Sequence, residues 1–411
     1  LANSAINTDK LNDNAVTSAK IVDEAVTLDK LPHGTASNDG KFLRANNNAD
    51  PSWVATAGFN RNLVINGAMT IAQRGTSHTS SGYRTVDRFK MQAGGASATL
   101  TQEQINLTAG SPDPRHEGFY KAFKVTNNGQ SANSQGYCYI IQLIEAQNVV
   151  QSGWRFASSD SYITLSFWVR ASVAQNYLFS VYTSDGTNRE YNWLESLSAN
   201  VWTKVTKTIP GDSNISIDND NGPGLELYWH AYLGDHYTSG STVNQWVNHA
   251  GFTSRPDMGS TWWTTSNSTY ELTGVQLEAG SQATPFAHRS ITEEQQLCKR
   301  YYQQYGGSAD HWHFGLARAE GNTARAAISV PVPMRTSPTV ASAGGHRTFD
   351  RGYNSESTDT PGVYDVSGRN NNLTDAIYTV DFPGHSLTHN RIYALMSKSS
   401  NTSDFTLDAE M

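Results

Sequence analysis

The chain has 411 residues, of which 37% are hydrophobic and 16% are charged, and its formal net charge is −7. This length allows two or three domains. The negative charge argues against a nucleic-acid-binding protein that acts by neutralising phosphates. Hydrophobic residues are less frequent than the roughly 45–50% of an average globular domain, but 10 Trp, 19 Tyr and 14 Phe supply enough apolar surface for folded cores. We therefore expect a folded, heavily hydrated protein and not a disordered chain.

Cysteine content and hydropathy exclude two further classes of protein. Cys138 and Cys298 lie far apart in the sequence, whereas a small secreted scaffold held by disulfides uses more cysteines. No apolar segment approaches the roughly 20 residues that cross a bilayer. We expect neither a disulfide framework nor insertion into a membrane.

Residues 1–33 repeat a ten-residue pattern in which a large apolar residue recurs at every fifth position. These residues are Ile6, Leu11, Val16, Ile21, Val26 and Leu31. This period matches neither a helix nor a strand. So sparse an apolar stripe cannot form a core within one chain, so the segment predicts an oligomeric stalk. Since Leu1 falls inside the repeat, we expect a longer protein with a further N-terminal region.

Residues 34–59 are predicted to connect the stalk to the remaining chain. Asn-rich turns and the pair Asp50–Pro51 interrupt this segment. Its aromatic residues predict packing at a neck, with Phe42, Leu43 and Trp53 as anchors.

Residues 60–289 contain short strands separated by turns. In Tyr162–Arg170 and again in Leu225–Leu233, apolar and polar residues alternate, which indicates strands with one buried and one outward face. About ten strands without intervening helices predict a two-sheet β-sandwich of the jelly-roll type.

A connecting helix is predicted over residues 290–306. Ser290 and Glu293 form a capping box at its start, and apolar residues recur at helical spacing from Leu297 to Tyr305. The helix would join the jelly roll to the C-terminal part of the chain.

Residues 307–411 are predicted to form a small C-terminal β-sandwich. Strand patterns cover Ile328–Met334, Ile377–Phe382, Arg391–Ser397 and Phe405–Leu407. Pro331 and Pro333 predict that the first of these is an edge strand, because proline cannot donate to a ladder.

Several segments resemble tail fibres of marine and cyanobacterial bacteriophages. They are the ten-residue repeat, Gly40–Leu43, Asn62–Gly75, Val86–Phe89, Leu165–Arg170, Gly274–Gly280, Thr284–Arg289 with Cys298–Tyr302, and Pro331–Pro338. The resemblance implies a mainly β, homotrimeric virion fibre, assembled in the host cytoplasm, whose central domain is similar to carbohydrate-binding jelly rolls. It implies no catalytic residues, and we expect no cofactor. Other phage tail proteins would join it through the N-terminal region.

Sugar recognition needs flat apolar faces for the C–H side of a pyranose and polar groups for its hydroxyls. The first candidates are Glu226, Tyr228, His230 and Tyr232, which would share one face of a strand, with Trp168 and Arg170 extending the platform from a neighbouring position. Alternatively, these side chains lie beneath a loop, at a subunit interface or in the opposite half of the core.

Trp246, Trp262 and Trp263 are further candidates. They lie in stretches rich in Ser, Thr and Asn, where an exposed Trp is costly unless it is used. Packing of these indoles beneath loops is the alternative to contact with a sugar.

Two segments raise the question of a metal site, and we predict none. His311 and His313 would place two imidazoles on one face, and three such pairs near a three-fold axis would suit octahedral coordination. A single His-x-His favours a solvated or core pair instead. Asp218–Gly222 resembles a calcium loop but lacks the later carboxylate at the required spacing, so a tight turn is predicted there.

The sequence has no Gly-x-Ser-x-Gly elbow, no His-Glu-x-x-His helix and no phosphate-binding glycine loop. We expect a non-enzymatic receptor-binding fibre that attaches to host polysaccharide or lipopolysaccharide through several weak sites. Two alternatives stay open. One is a tailspike-type depolymerase, since paired carboxylates for glycoside cleavage need not be adjacent in sequence; the other is a purely structural fibre segment.

Overall fold

The computed structural model describes residues 41–46, 49–55, 61–110, 114–240, 242–250, 255–305, 313–342, 346–350, 353–357, 362–365, 377–385, 387–388, 391–397 and 405–411. The chain divides into two compact units, Leu1–Phe59 and Asn60–Met411. In the first unit, β1 (Lys41–Asn46) and β2 (Ala49–Ala55) form an antiparallel hairpin. The stalk predicted over residues 1–33 lies outside the described residues.

Two six-stranded sheets make up the N-terminal part of the second unit. The elements are β3 (Ser77–His78), β4 (Lys90–Gly94), β5 (Leu100–Asn106), β6 (Lys121–Asn128), β7 (Tyr137–Glu145), α1 (Ala146–Val150), β8 (Tyr162–Ala171), β9 (Gln175–Thr183), β10 (Arg189–Leu197), β11 (Thr203–Pro210), β12 (Pro223–Leu233), β13 (Thr238–Gly240), β14 (Trp246–Asn248), β15 (Arg255–Pro256), α2 (Thr261–Thr264) and β16 (Ser266–Ala279). The first sheet has the order β14-β10-β9-β12-β7-β4, and the second has the order β11-β8-β16-β6-β5-β3. Successive strands from β6 to β9 alternate between the sheets, as they do in jelly rolls. A separate parallel pair, β13 with β15, lies outside both sheets.

Aromatic side chains from both sheets fill the core between them. The ring of Phe167 on β8 lies 5.0 Å from that of Phe179 on β9 and 5.9 Å from that of Trp229 on β12, measured between centroids. All three side chains are buried. Since β8 belongs to the second sheet and the other two strands to the first, these contacts join the layers. The predicted two-sheet β-sandwich is confirmed.

Helix α3 (Ile291–Lys299) begins where the capping box predicts and ends earlier than expected. The Ser290 side chain accepts a hydrogen bond from the backbone N–H of Glu293 at 3.2 Å. The prediction of helix through residue 306 is wrong, because β17 (Tyr302–Tyr305) pairs instead with β26 (Phe405–Asp408) near the end of the chain. Long-range strand pairing overrides the helical spacing of the local sequence.

Two further sheets form the C-terminal part. Their remaining strands are β18 (His313–Glu320), β19 (Thr323–Ser329), β20 (Thr339–Ser342), β21 (His346–Asp350), β22 (Tyr353–Ser357), β23 (Gly362–Asp365), β24 (Ile377–Phe382) and β25 (Ile392–Ser397). The three-stranded sheet has the order β17-β26-β20, and the seven-stranded sheet has the order β22-β21-β25-β18-β19-β24-β23. They share a core in which Ala326, Phe382 and Leu395 cluster with Val340 and Leu407.

A buried ion pair anchors the last residues of the chain to the jelly roll. Arg88 is buried and adopts a φ of +69°, a region in which a bulky side chain is strained. Its guanidinium pairs with the carboxylate of Glu410, donates to the carbonyl of Leu143 at 2.7 Å and lies 3.4 Å from the ring centroid of Tyr301. The ion pair therefore joins segments from opposite ends of the second unit. No helix in the described part of the chain has the length and apolar character needed to cross a membrane.

Replacing Glu410 with Gln tests this anchor. The substitution leaves the buried guanidinium of Arg88 without its carboxylate, and loss of one partner of a buried ion pair costs about 3–5 kcal/mol. We expect the free energy of unfolding in a denaturant titration to fall by that amount. Asp408→Asn is the matched control, since the Asp408 side chain is 42% exposed and that of Glu410 is 6% exposed. The control should cost less than about 1 kcal/mol; equal losses in the two variants would contradict the anchoring role.

Candidate functional site

Polar and aromatic side chains cover the surface of the first sheet that faces away from the core, which we call the outer face. Its members are Tyr139 on β7, Ser180 and Tyr182 on β9, Glu190 and Asn192 on β10, and Glu226, Tyr228 and His230 on β12. Their register places them together, because side chains directly opposite in a ladder share one face of the sheet. Tyr228 lies opposite Ser180, His230 opposite Tyr139, and Ser180 opposite Asn192.

Three aromatic rings form the centre of the outer face. Tyr228 and His230 are parallel, with centroids 5.5 Å apart and planes inclined by 4°. The ring of Tyr139 meets both edge-on, at 5.2 Å and 5.5 Å. Both tyrosines are half-buried, whereas His230 is fully buried. The cluster therefore offers tyrosine rings at the surface above a buried imidazole.

Beneath these rings, Ser180 links two buried polar side chains. Its hydroxyl donates to Oδ1 of Asn192 at 2.5 Å and lies 3.4 Å from Nε2 of His230. Nδ1 of His230 and Nδ2 of Asn192 have no hydrogen-bond partner among the described residues. Buried polar groups are normally satisfied, so each of these two atoms requires an explanation.

A buried ion pair holds β15 against the outer face. The carboxylate of Glu190 is buried and accepts from Nε of Arg255 at 2.5 Å, and Nδ1 of His249 lies 3.2 Å from the same carboxylate. The guanidinium carbon of Arg255 lies 5.0 Å from the centroid of Tyr228. The ring of His249 lies 4.9 Å from that of Tyr182. Arg255 and His249 thus form one wall of the site.

Burial fixes the protonation states of the central rings. Burial, together with the charge of Glu226, raises the pKa of Tyr228, and burial raises the pKa of Tyr139 to about 12. Burial and then the charge of Arg255 lower the pKa of His230 well below its usual range. At neutral pH the site therefore presents neutral phenols and a neutral imidazole, which can bind and orient hydroxyl groups.

Tyr232, which the sequence predicts on the same face, points into the core. The pairing of β12 with β7 shifts between His230 and Tyr232, so Ala231 is an extra residue in the strand. A bulge of this kind interrupts the alternation of side chains, because one inserted residue turns the following positions to the other face. Tyr232 is buried and stacks on Trp263 with centroids 4.6 Å apart. The prediction that Tyr232 belongs to the aromatic platform is therefore wrong.

Trp168 and Arg170 do not extend the platform either. They lie on β8, in the second sheet, and so on the opposite side of the sandwich from Tyr228. Nε1 of Trp168 donates to Glu117 at 3.3 Å, and Arg170 donates twice to Glu271, at 2.6 Å and 3.0 Å. The sequence shows the alternation in each strand but does not show which sheet a strand joins.

The three remaining tryptophan candidates pack in the core and do not form a sugar platform. The alternative interpretation places them beneath loops. Trp246, Trp262 and Trp263 are buried, and the last two have no exposed surface. Their indole N–H groups donate to the carbonyls of Pro210, Thr269 and Ser131, at 2.7 Å, 3.0 Å and 3.0 Å. In this arrangement the indoles present no face to a ligand.

The segments considered for a metal give no such site in the described part of the chain. His311 and the side chain of His313 lie outside the described residues. In Asp218–Gly222 the backbone N–H groups of Asp220 and Gly222 donate to the carboxylates of Asp218 and Asp220, at 3.1 Å and 2.7 Å, which are the contacts of a tight turn. Among the described residues, no group of three or more His, Cys, Asp or Glu is arranged to hold a metal ion.

Sequence reasoning missed five members of the outer face, which are Tyr139, Ser180, Tyr182, Glu190 and Asn192. The alternation of polar and apolar residues along β7, β9 and β10 is a signal for outward positions. No signal in a single sequence shows that these strands flank β12. The site is therefore defined by how the strands pair, and the spacing of residues along each strand does not predict it.

No protein-family profile matches the sequence, and no similar chain is found among curated proteins. Solved structures align with part of the chain. The N-terminal cellulose-binding domain of Cellulomonas fimi β-1,4-glucanase C aligns at 11% identity over 52% of this chain and 99% of that chain, with a TM-score of 0.25. A carbohydrate-binding module solved with β-1,4-galactotriose aligns at 9% identity over 54% and 99%, with a TM-score of 0.25. A family 16 carbohydrate-binding module aligns at 10% identity over 43% and 84%, with a TM-score of 0.22. Similarity at this level assigns neither a ligand nor an activity to this chain.

The buried imidazole predicts a pH dependence of stability. Because the pKa of His230 is lowered in the folded state, the unfolded chain binds more protons below its ordinary pKa of about 6.5. Stability is then lost as the pH falls through that value, by about 1.4 kcal/mol per pH unit. We expect His230→Gln to remove this dependence.

Denaturant titrations of the wild type and His230→Gln at pH 7 and pH 5 measure the effect. The stability difference between the two proteins should change by up to about 2 kcal/mol over this interval. His236→Gln, at an exposed position, controls for the general effect of replacing a histidine. A difference between wild type and His230→Gln that is the same at both pH values would contradict the prediction.

Proposed function

We propose that this chain is a receptor-binding tail-fibre protein of a bacteriophage and that it binds a host surface glycan at the outer face. The observation that supports this function is the pair of half-buried tyrosines, Tyr139 and Tyr228, packed against His230. Tyrosine rings combine an apolar face with a polar hydroxyl, and binding sites pair such rings with a few placed polar groups. A pyranose has the matching surface, since its C–H groups lie on a ring and its hydroxyls project from the edge.

Binding without cleavage is the proposed activity. The carboxylates of the outer face are already engaged within the protein: Glu190 pairs with Arg255, and Glu226 accepts from the hydroxyl of Tyr228 at 2.5 Å. Such contacts suit carboxylates that fix side chains in place. A depolymerase would release new reducing ends from host polysaccharide, and we expect none.

Trimeric assembly is the second part of the proposal, and two features support it. The apolar stripe in residues 1–33 has too few large residues for a core in one chain. In the C-terminal part, Leu316 on β18 and Ile392 on β25 are 67% and 64% exposed. They lie diagonally across one strand pair, since Leu316 is opposite Ala394 and Arg318 is opposite Ile392. Large apolar side chains so exposed on one face favour burial against another chain. Three copies would give three sugar sites and hence avidity.

Replacing Tyr228 with Ala tests the sugar site. The substitution removes a ring from the centre of the outer face, so we expect glycan affinity to fall roughly tenfold or more. A glycan array identifies the ligand, and calorimetry on the strongest binder measures the loss. Tyr120→Ala is the matched control, because Tyr120 is 62% exposed and precedes β6 in the second sheet. Equal losses in the two variants, or no change in Tyr228→Ala with the fold intact, would contradict the assigned site.

Light scattering tests the assembly. The chain has a mass of 45.0 kDa, and we expect a particle of three chains because the stalk buries its apolar stripe between copies. A double variant with Leu316→Arg and Ile392→Arg should melt at a lower temperature than the wild-type assembly, because charges replace the proposed apolar contacts between copies. A monomer of 45.0 kDa at micromolar concentration would contradict the trimer.

A further inference from the structure

The outer face continues along β7 and onto β4, which is the edge strand of the first sheet. Tyr137 and Tyr139 are two positions apart on β7, so both rings lie on the outer face, because successive side chains of a strand point to opposite faces. On β4, Gln92 lies opposite Tyr139 and Gly94 lies opposite Tyr137. Side chains directly opposite in a ladder share one face, so Gln92 lies on the face of the two tyrosines. Tyr137 and Gln92 therefore extend this face beyond Tyr228.

The ring of Tyr137 has a defined position at this end of the face. It lies 5.7 Å from the ring of Tyr139, measured between centroids, and the two planes are inclined by 22°. Its hydroxyl end fills the space above Gly94, where an added Cβ would lie 2.5 Å from Cζ. Glycine within a strand permits such a close approach. The ring of Tyr237, from the turn after β12, meets Tyr137 edge-on at 5.7 Å. Contacts with three residues thus hold the ring in place.

Tyr137, Tyr139 and Tyr228 form a row of rings that we call the tyrosine strip. Successive centroids lie 5.7 Å and 5.2 Å apart. All three residues are half-buried, so each leaves part of its side chain at the surface. These separations are close to the length of one pyranose unit in a polysaccharide. A single sugar can therefore contact one or two of the rings, whereas a chain of sugars can contact all three.

Gln92 supplies polar atoms beside the tyrosine strip. Its side chain is half-buried and lies opposite Tyr139. A carboxamide has an acceptor oxygen and two N–H donors, so it can form hydrogen bonds with two neighbouring sugar hydroxyls. Binding sites combine apolar ring faces with a few polar groups of this kind. The strip and Gln92 together have the composition of a site for several sugar units.

We propose that the tyrosine strip binds consecutive units of a polysaccharide chain, with Gln92 forming hydrogen bonds to the unit at Tyr139. The ligand is then an oligosaccharide segment of at least three units and not a single terminal sugar. Each ring that is contacted adds apolar burial, and rings that are already held in place lose little further freedom on binding. This inference rests on the proposed sugar site and adds the length of chain that the site selects.

Oligosaccharides of increasing length test the tyrosine strip. The glycan that binds most strongly on an array is prepared as the mono-, di-, tri- and tetrasaccharide, and calorimetry measures the affinity of the full chain for each. We expect affinity to rise roughly fivefold or more with each unit up to three. The fourth unit should add little, because the strip has three rings.

Gly94→Ala tests the position of Tyr137 without removing a ring. The added Cβ would displace that ring, because it would lie 2.5 Å from Cζ. We expect the affinity for the trisaccharide to fall roughly fivefold or more, and the affinity for the monosaccharide to stay unchanged. Gly110→Ala is the matched control, since an added Cβ there has no described atom within 4 Å. Melting curves confirm that each variant is folded.

Tyr137→Ala gives a second measurement, because it removes the ring and leaves Gly94 unchanged. It should cause the same loss of affinity for the trisaccharide. Gln92→Ala removes the carboxamide beside the strip, and we expect it to lower the affinity for the trisaccharide roughly threefold or more. An unchanged affinity in Gln92→Ala would overturn the role given to this residue.

The outcomes separate this inference from the proposed function. Equal affinities of the wild type for the mono- and trisaccharide would overturn the strip and leave the sugar site at Tyr228 standing. The same conclusion follows if Tyr137→Ala binds the trisaccharide as the wild type does, or if Gly94→Ala loses affinity equally at every length. If no glycan of any length binds, the proposed function itself fails and the inference with it.

Discussion

The buried carboxylate of Glu190 is the interaction on which the candidate site depends. A charge removed from water needs partners of opposite charge and good geometry, and Glu190 finds Arg255 at 2.5 Å and His249 at 3.2 Å. These contacts bring a distant segment against β9, β10 and β12. Arg255 in turn lies 5.0 Å from the ring centroid of Tyr228, and the same ring stacks on the imidazole of His230. A half-buried ring held in this way loses little further freedom when a ligand binds.

A second buried network joins segments that lie far apart in the sequence. Asn66 donates through its side-chain amide nitrogen to the carbonyls of Ile71 and Asp87, at 2.9 Å each, while its backbone N–H donates to Glu294 at 2.5 Å. Arg289 pairs with the same Glu294 at 3.3 Å. Segments around Asn66, Asp87 and Arg289 thus meet in one buried polar cluster. Such a cluster specifies how the segments pack, because each unpaired member would be costly.

The sequence predicts what is periodic or local in this fold. The alternation in Leu225–Leu233 places Leu225, Leu227 and Trp229 in the core and Tyr228 and His230 outside, as found. It fails at Tyr232, since a bulge arises from pairing with β7 and leaves no mark in the spacing of β12. The capping box fixes the start of α3, but pairing of Tyr302 with Asp408 sets its end. The neighbours of Tyr228 on the outer face come from strands far away in sequence. The spacing within one segment carries no information on such contacts. The sequence therefore predicts the members of the site on β12 but not those on β7, β9 and β10.

The anchor at Arg88 has a consequence for the order in which the protein forms. Its carboxylate partner lies 322 residues later in the chain, and at a synthesis rate of about 5–20 residues per second the delay is roughly 15–65 s. During that interval the jelly roll has been made, while the guanidinium at its edge has the carbonyl of Leu143 and no counter-charge from Glu410. The sandwich therefore reaches its final stability after the C-terminal strands arrive. A chain that stops before Glu410 would therefore carry a jelly roll whose buried Arg88 lacks that counter-charge.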